Sequence, residues 1–353
     1  MMNEICIQMN GLRFKSRDSE NMKKRNFFAY KDNFAINKLV RSNLVFGNLL
    51  TSNPLVSITI PTFKRPELLQ EAVESVLKQR DFSDFEIVIV DNDSEGLYTD
   101  KIIKFLSALN DERIRYYINE HNIGVFGNWN RCIELAHGKW MTILCDDDLL
   151  FNNYLSVLTQ ELERDKSLNR VECRYQIFSD SQQIKATPKQ LRSYNLSCRF
   201  LGEQCNVRYD MYLFGCYTAP HTQLYKRELA LELGGFYPDY APISDYVFNA
   251  MYLYNYPGGV FINQYLCGYR WSVNESQRKI VKVGVCRWSR VFRVYLLAKN
   301  NTVVRRVISS FLNYEELFAL TGKKNIFQKI LFSAFNRLLV IYEWIIKIPK
   351  QIV

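Results

Sequence analysis

The residues of this 353-residue chain best suited to chemistry are three consecutive aspartates, Asp146, Asp147 and Asp148. They directly follow an apolar run, residues 141–145, of the kind that forms a buried strand. At the carboxyl end of such a strand they would face the edge where open α/β sheets bind ligands. Carboxylate oxygens there suit a hard cation, Mn²⁺ or Mg²⁺, which in turn can hold a pyrophosphate. The alternative is a polar turn in which Asp148 caps the next helix.

The elements that must position this triplet alternate between strands and helices. Apolar runs and helical spacings predict, in order, a strand at 55–60, a helix at 67–79, a strand at 85–90, a helix at 100–109, a strand at 113–118, a helix at 128–136 and the strand that carries the triplet. Each predicted strand is followed by polar residues. This alternation predicts an α/β fold with a mainly parallel sheet and one edge that binds the ligand.

Five short motifs stand at the ends of these strands or in the segments that follow them. They are Pro61-Thr62-Phe63-Lys64-Arg65, Val90-Asp91-Asn92-Asp93-Ser94, Asn122-Ile123-Gly124, Asn128-Trp129-Asn130 and Asp146-Asp147-Asp148. In this order and spacing they resemble the motifs of glycosyltransferase family 2 over residues 55–158, and more faintly as far as Arg270. The resemblance implies a GT-A fold, with a Rossmann-type, mainly parallel sheet flanked by helices, and inverting transfer of a sugar from a nucleotide sugar.

The chain departs from the family pattern at two places. The family often writes its metal motif as Asp-x-Asp-Asp, and here Cys145 occupies the first acidic position. The resemblance therefore assigns Mn²⁺ or Mg²⁺ to Asp146, Asp147 and Asp148, without deciding which of them binds the cation directly. The family also often has two acids after the second strand, where this chain has Asp91 followed by an asparagine. One acid suffices for one hydrogen bond to a base or ribose.

The resemblance places the nucleotide sugar against residues from all five motifs and from the second half of the domain. The set is Pro61, Thr62, Phe63, Arg65, Asp91, Asp93, Asn122, Gly124, Asn130, Asp146, Asp147 and Arg270. Phe63 either offers a stacking face for uracil or thymine or is a core aromatic at a strand end. Arg65 either pairs with phosphate or is solvated at a helix start.

Other members of the set also have structural alternatives. Asp93 either assists at the nucleoside or caps the following turn. Asn122 and Gly124 shape the loop beside the donor, and Gly124 serves backbone geometry rather than contact. Asn130 equally suits a packed polar position on its helix. Arg270 either closes over the pyrophosphate or is an arginine on a surface strand.

The catalytic base is expected in the second half of the domain. Asp245 follows Ser244 where the family usually has Glu-Asp, and the pair comes after a Gly-Gly-Phe run at 234–236. By resemblance, Asp245 accepts the proton of the acceptor hydroxyl. The structural alternative is a negative residue in the first turn of a helix, which the helix dipole stabilises. Asp239 is the fallback candidate for the base.

Composition and charge narrow the functional classes. The net charge is +10, but no DNA- or RNA-binding motif is present, which disfavours nucleic acid as a partner. An anionic membrane surface or a pyrophosphate-linked substrate explains the charge as well. The nine cysteines are irregularly spaced and include no CxxC pair, which favours reduced thiols in the cytosol over a disulfide framework or a zinc site. No G-x-G-x-x-G follows a strand, which disfavours a dinucleotide oxidoreductase.

The chain divides into four regions by composition and motif content. Residues 1–53 form a basic extension, 54–152 the nucleotide-sugar half, 153–276 the acceptor half of the same GT-A domain, and 277–353 a helical C-terminal region. Within the last region, residues 326–353 have one polar stripe and a wide apolar face. Such a helix lies either in the headgroup layer of a membrane or against the domain or a second subunit. Its charges disfavour a membrane span.

These features predict an inverting, metal-dependent glycosyltransferase (EC 2.4 class). The expected donor is a UDP- or dTDP-linked sugar, and the expected acceptor is a hydroxyl of a glycan or lipid-linked glycan. By analogy with the family, the setting is surface-polysaccharide synthesis (O-antigen or capsule) on the inner face of the cell membrane. The alternative is a non-catalytic nucleotide-sugar-binding protein of the same fold, because Cys145 and Ser244 stand at usually acidic positions.

Overall fold

The computed structural model describes part of the chain. The described residues are 8–9, 12–13, 26–48, 53–179, 203–214, 218–271 and 279–298. Within them the fold is α/β, with one ten-stranded sheet and a separate two-stranded pair, β1 (Gln8–Met9) and β2 (Leu12–Arg13). The amphipathic segment predicted at 326–353 lies outside the described residues.

The nucleotide-sugar half forms the parallel part of the sheet. Its strands are β4 (Val56–Thr62), β5 (Phe85–Asp91), β6 (Ile114–Asn119) and β7 (Trp140–Ile143), and its helices are α1 (Pro66–Leu77), α2 (Thr99–Leu109) and α3 (Val125–Leu135). All seven residues of both β4 and β5 are buried, as expected for parallel strands that are covered on both faces. The predicted alternation of strands and helices is confirmed.

The acceptor half extends the same sheet. Its elements are β8 (Leu149–Leu150), α4 (Tyr154–Arg164), β9 (Arg170–Phe178), β10 (Gln204–Val207), β11 (Gln223–Lys226), α5 (Arg227–Glu232), α6 (Ser244–Asn255) and β12 (Gly259–Arg270). With β3 (Ser42–Phe46), the strand order is β10-β12-β9-β11-β7-β4-β5-β6-β3, and β8 pairs with β12. The antiparallel β11 lies between β7 and β9. It therefore joins the two halves into one sheet.

Helices cover both faces of the sheet. One core contains apolar residues of α1, α2 and α4, including Leu69, Ile102 and Leu158. The opposite core contains residues of α3, α6 and the last described helix, α7 (Lys279–Ala298). Within the described part of the chain, every helix is too short or too polar to cross a membrane.

Part of the basic N-terminal region packs into this architecture. Strand β3 pairs antiparallel with β6 at the edge of the sheet. Phe27 is completely buried in an aromatic cluster with Tyr240, Phe292 and Tyr295, at ring-centroid distances of 5.0 to 5.2 Å. Residues 26–48 thus contribute to the same hydrophobic core as α7.

Candidate active site

The carboxyl ends of β4, β5 and β7 meet at one edge of the sheet. The pairing of Thr62 with Asp91 sets the ends of β4 and β5 side by side. Strand β7 ends at Ile143, and the Leu144 N–H still donates to the Thr59 carbonyl at 2.8 Å. The chain then turns, with the Asp148 N–H donating to the Cys145 carbonyl at 3.0 Å. The triplet therefore occupies a tight turn directly beyond the strand.

The three aspartates of this turn have different partners. Asp146 accepts a hydrogen bond from Thr62 Oγ1 at 2.8 Å. The Arg65 guanidinium lies 3.4 Å from Asp146 and 3.2 Å from Asp147. Asp148 faces the other way and accepts from the Arg270 backbone N–H at 2.8 Å. The turn thus divides the triplet between the donor half and the acceptor half.

The group of side chains best placed to hold a metal differs from the predicted one. Within the described residues, the ligand atoms of Cys145, Asp147 and Asp148 lie within 4.8 Å of one another. The prediction named Asp146, Asp147 and Asp148; in the structure Asp146 contacts Thr62 and Arg65, and its role at a cation stays a prediction. Two carboxylates suit Mn²⁺ or Mg²⁺ completed by diphosphate oxygens and water.

The thiol in this group is a poor ligand. Burial, and then the negative charges of the three aspartates and Asp245, raise the pKa of Cys145 well above its ordinary value. A protonated thiol binds metal weakly, since the thiolate is the ligand form. Asp147 and Asp148 are therefore the two members of this group whose oxygens suit a hard cation, and Cys145 lies beside them.

Positive charge only partly compensates the carboxylates at this edge. Burial raises the pKa of Asp146 to about 7, although the Arg65 charge opposes the shift. Burial and the neighbouring Asp148 charge raise the pKa of Asp147 to about 6, again against Arg65. An excess of buried negative charge is the electrostatic signature of a cation site.

The nucleoside side of the edge is built from Asp91, Asp93 and Phe63. Asp91 accepts from the Tyr116 hydroxyl at 2.7 Å and from the Asp93 N–H at 2.8 Å, and burial raises its pKa. Asp93 accepts from the Leu97 N–H at 3.0 Å, so it caps the turn after β5. Phe63 is 43% exposed. It is therefore not a core aromatic, and its ring is available for stacking.

Pro61 and Thr62 are the last residues of β4 and are both buried. The loop that carries Asn122 and Gly124 is tied to the same edge through Asn92. The Asn92 side-chain amide donates to Asn122 Oδ1 at 3.0 Å and to the Gly124 carbonyl at 3.2 Å. Gly124 has a φ of +76°, so a glycine is required at this helix start for backbone reasons.

Asn130 and Arg270 have structural partners. Asn130 is buried; its side chain donates to the Phe236 carbonyl at 2.9 Å and accepts from the Phe236 N–H at 2.6 Å. Arg270 is buried rather than on a surface strand, and it donates to the Asp147 carbonyl at 2.8 Å and to Glu71 at 2.6 Å. Both residues support the site from behind, and their contact with substrate stays a prediction.

Asp245 lies in the first turn of α6 and is half-buried. Burial raises its pKa to about 6. Its charge also raises the pKa of the Cys145 thiol, so its carboxylate lies near the residue that precedes the triplet. The fallback base Asp239 is instead exposed and forms a surface ion pair with Lys31 at 2.8 Å. The geometry therefore favours Asp245 for proton transfer.

Sequence reasoning missed Tyr116, Glu71 and His221 as members of this site. Tyr116 lies on strand β6, which the sequence predicted. The register of β6 against β5 places this residue near Asp91. His221 has no signal in the sequence, because the three histidines are scattered along the chain. In the structure it is completely buried, and its Nδ1 lies 3.1 Å from Asp148 Oδ2.

Comparison with known proteins gives a consistent result. The model of glycosyl transferase family 2 matches residues 57–234. An Escherichia coli K12 protein named as a colanic acid biosynthesis glycosyl transferase, WcaA, is 36% identical over 145 residues, 40% of this chain and 51% of that protein. The GalNAc(5)-diNAcBac-PP-undecaprenol beta-1,3-glucosyltransferase of Campylobacter jejuni is 38% identical over 109 residues, 31% of this chain and 34% of that protein. The chain thus matches about half or less of these relatives' lengths.

Solved structures share the fold. The mannosyltransferase PcManGT from Pyrobaculum calidifontis, in complex with GDP-Man and Mn²⁺, superposes with a TM-score of 0.52 at 15% identity. The superposition covers 91% of this chain and 86% of that one. The predicted GT-A architecture is thereby confirmed.

Proposed function

Because this chain belongs to glycosyltransferase family 2, we propose that it transfers a sugar from a nucleoside-diphosphate sugar to a hydroxyl group, with inversion at the anomeric carbon. The observation that carries the proposal is the convergence of the Asp147–Asp148 pair, Asp91 and Asp245 at one edge of the sheet. Two carboxylates there suit a cation, one suits a nucleoside, and one is placed to accept a proton. These are the groups that such a transfer needs.

The donor is bound along the ends of β4 and β5. The exposed Phe63 ring stacks on the base, and the buried Asp91 accepts a hydrogen bond from base or ribose. A pyrimidine nucleotide, UDP or dTDP, fits a single stacking face and a single acceptor. Arg65, held by Asp146 and Asp147, is oriented toward the diphosphate.

The chemistry is one displacement with one proton transfer. Asp245 accepts the proton of the acceptor hydroxyl as its oxygen forms a bond to the anomeric carbon. The bond from that carbon to the diphosphate oxygen breaks, and the nucleoside diphosphate leaves with the electron pair. When bound by Asp147 and Asp148, Mn²⁺ or Mg²⁺ neutralises charge on the leaving diphosphate. Arg270 and Thr62 hold the turn that presents these carboxylates.

The acceptor is proposed to be a lipid-linked glycan at the cytoplasmic face of the cell membrane, in polysaccharide synthesis. The undecaprenol-linked acceptor in the name of the Campylobacter relative and the colanic acid role in the name of WcaA support this class. The net charge of +10 suits an anionic surface.

A non-catalytic nucleotide-sugar-binding role is the second candidate. It is favoured by two residues that stand where the family usually has acids. Cys145 is a neutral thiol beside the metal group, and the buried Ser244 hydroxyl has no hydrogen-bond partner among the described residues. In this case the edge would bind the donor without turning it over.

A donor screen with both binding and turnover as readouts tests the proposal. The panel is UDP-glucose, UDP-galactose, UDP-GlcNAc, UDP-GalNAc, dTDP-rhamnose and GDP-mannose, each with Mn²⁺ and with excess chelator, and with a polyprenyl-diphosphate glycan as acceptor. We expect saturable binding and Mn²⁺-dependent release of a nucleoside diphosphate with one donor. Binding without release would establish the second candidate. Full turnover in chelator would remove the metal from the mechanism.

A further inference from the structure

His221 is a completely buried histidine with an unusual position beside the aspartate triplet. It lies in a short 3-10 helix, Pro220–Thr222, which packs against β7, β9 and β12. Its Nδ1 is 3.1 Å from Asp148 Oδ2. The ring is nearly parallel to that of Tyr269, with an interplanar angle of 13° at a centroid distance of 6.4 Å. Within the described part of the chain, neither Nδ1 nor Nε2 has a partner with hydrogen-bond geometry, so the contact with Asp148 is one of distance and charge.

The two oxygens of Asp148 therefore have different neighbours. Oδ1 accepts from the Arg270 backbone N–H at 2.8 Å, and Oδ2 faces His221. Asp147, by contrast, has its side chain against Arg65, which is 28% exposed. A buried carboxylate needs such partners, because burying it without them is costly. The hydrogen bond to Oδ1 and the ring beside Oδ2 together limit the rotation of the Asp148 carboxylate.

We propose that His221 is the positioning residue of the metal carboxylate Asp148. Its Nδ1 lies 3.1 Å from Oδ2 of this buried carboxylate, so the imidazole restricts the orientations that Asp148 can offer to a cation. The inference rests on the proposed metal-assisted transfer. His221 is not one of the three residues, Cys145, Asp147 and Asp148, whose ligand atoms lie within 4.8 Å of one another. Partners of this kind commonly alter metal affinity 10–100-fold.

Mn²⁺ affinity, measured by electron paramagnetic resonance with and without UDP, tests this role independently of turnover. His221→Phe keeps a ring beside Tyr269 and removes both nitrogens. We expect about 10–100-fold weaker Mn²⁺ binding in this variant. His221→Asn keeps a donor near the Nδ1 position, so its Mn²⁺ affinity should stay within a few-fold of the wild type. His221→Gln places its donor near Nε2, so it should bind Mn²⁺ as weakly as the phenylalanine variant. His137→Phe, at the opposite edge of the sheet, is the matched control and should bind normally.

The outcomes distinguish a failure of the metal-assisted function from a failure of the positioning role of His221. Wild-type protein that binds no Mn²⁺ even with UDP would overturn the metal-assisted function, and the role of His221 with it. Wild-type binding that is equal in His221→Phe would overturn the positioning role alone. A nitrogen hyperfine coupling on bound Mn²⁺ that disappears in His221→Phe would make His221 a direct ligand instead. Should His221→Phe fail to fold, the contrast between His221→Asn and His221→Gln decides the question.

Discussion

Two opposite edges of the same sheet bury carboxylates in different ways. At the amino ends of the strands, Glu86 pairs with Arg115 and accepts from the Ser57 hydroxyl. Glu86 also accepts from the His137 backbone N–H at 2.7 Å, and the Ser57 hydroxyl accepts from the Gly138 N–H at 2.7 Å. Each charge at this edge has a partner that neutralises or solvates it.

At the carboxyl ends of the strands the charges are not balanced. The Arg65 guanidinium contacts both Asp146 and Asp147, and the pKa values of Asp146, Asp147 and Asp245 are raised. The Arg270 guanidinium donates to the Asp147 carbonyl and pairs with Glu71 of α1, and the Arg270 backbone N–H donates to Asp148. The paired edge stabilises the fold, whereas the unpaired edge is free to bind a cation and to accept a proton. Substitutions at the two edges should therefore have opposite consequences.

The largest effect is expected from Asp147→Asn. Removing this metal carboxylate should lower turnover about a thousandfold or more, because a bound cation contributes several kcal/mol to stabilising the leaving group. Steady-state release of nucleoside diphosphate at saturating Mn²⁺ measures it. Asp165→Asn is the control, since this exposed carboxylate accepts hydrogen bonds from Ser167 in its own turn. Turnover above a tenth of wild type would place the metal elsewhere.

Asp245→Asn removes the basic carboxylate and keeps the shape of the side chain. Turnover should fall about 10²–10⁴-fold, the range of general-base catalysis, while the KM for the donor changes little. Asp239→Asn, which alters only the surface pair with Lys31, should leave turnover near that of the wild type. If the two variants behave in the reverse way, the proton acceptor is Asp239.

Glu86→Ala tests the paired edge and should change stability instead of turnover. Arg115 would be left as a buried, uncompensated charge, at a cost of about 3–5 kcal/mol in the free energy of unfolding. Urea unfolding measures the loss, and turnover per folded molecule should be retained. Glu95→Ala breaks the exposed pair with Lys64 and should leave the urea midpoint close to that of the wild type. Equal losses in the two variants would contradict the contrast between buried and exposed pairs.

The pH dependence of turnover should follow the unpaired edge. Burial raises the pKa of Asp245 to about 6, and Asp245 acts as a carboxylate. As the pH falls below about 6 it becomes protonated, so turnover should drop about tenfold per pH unit. A rate profile between pH 5 and 8 checks this. Turnover that is unchanged from pH 7 to pH 5 would contradict the raised pKa of Asp245.

The smallest expected effect is a gain in stability from Asp245→Asn. The folded pKa of about 6 exceeds the unfolded value of about 4, so ionised Asp245 opposes folding at high pH. The stability that the neutral Asp245 carboxyl contributes to the fold is complete below the unfolded pKa and is lost as the pH rises through 6. The variant should therefore be about 1–2 kcal/mol more stable at pH 8, after discounting for partial exposure, with the gain fading toward pH 4. Unfolding at both values measures it, and a loss at pH 8 would show a structural role for the carboxylate.

Much of the fold was predictable because its signals are local. The strands at 55–60, 85–90 and 113–118 were located to within two residues at each end by apolar runs. The start of α3 was predicted at 128 but lies at Val125, since Gly124 begins the helix through its backbone conformation rather than through an apolar pattern. The packing of residues 26–48 was not predictable, because a single edge strand and one buried phenylalanine leave no period in the sequence.

The sequence by itself determined the order of strands and helices, the family and the edge at which the acidic motifs gather. Those features follow from apolar spacing and from short motifs, each contained within a few residues. Only the tertiary structure decided that the ligand atoms of Cys145, Asp147 and Asp148 come within 4.8 Å of one another, that Arg270 donates to the turn, and that His221 lies beside Asp148. The physical reason is that these contacts depend on the direction of each side chain in one tight turn and on strand β11 inserting between β7 and β9. No local pattern encodes a contact between segments so far apart in the chain.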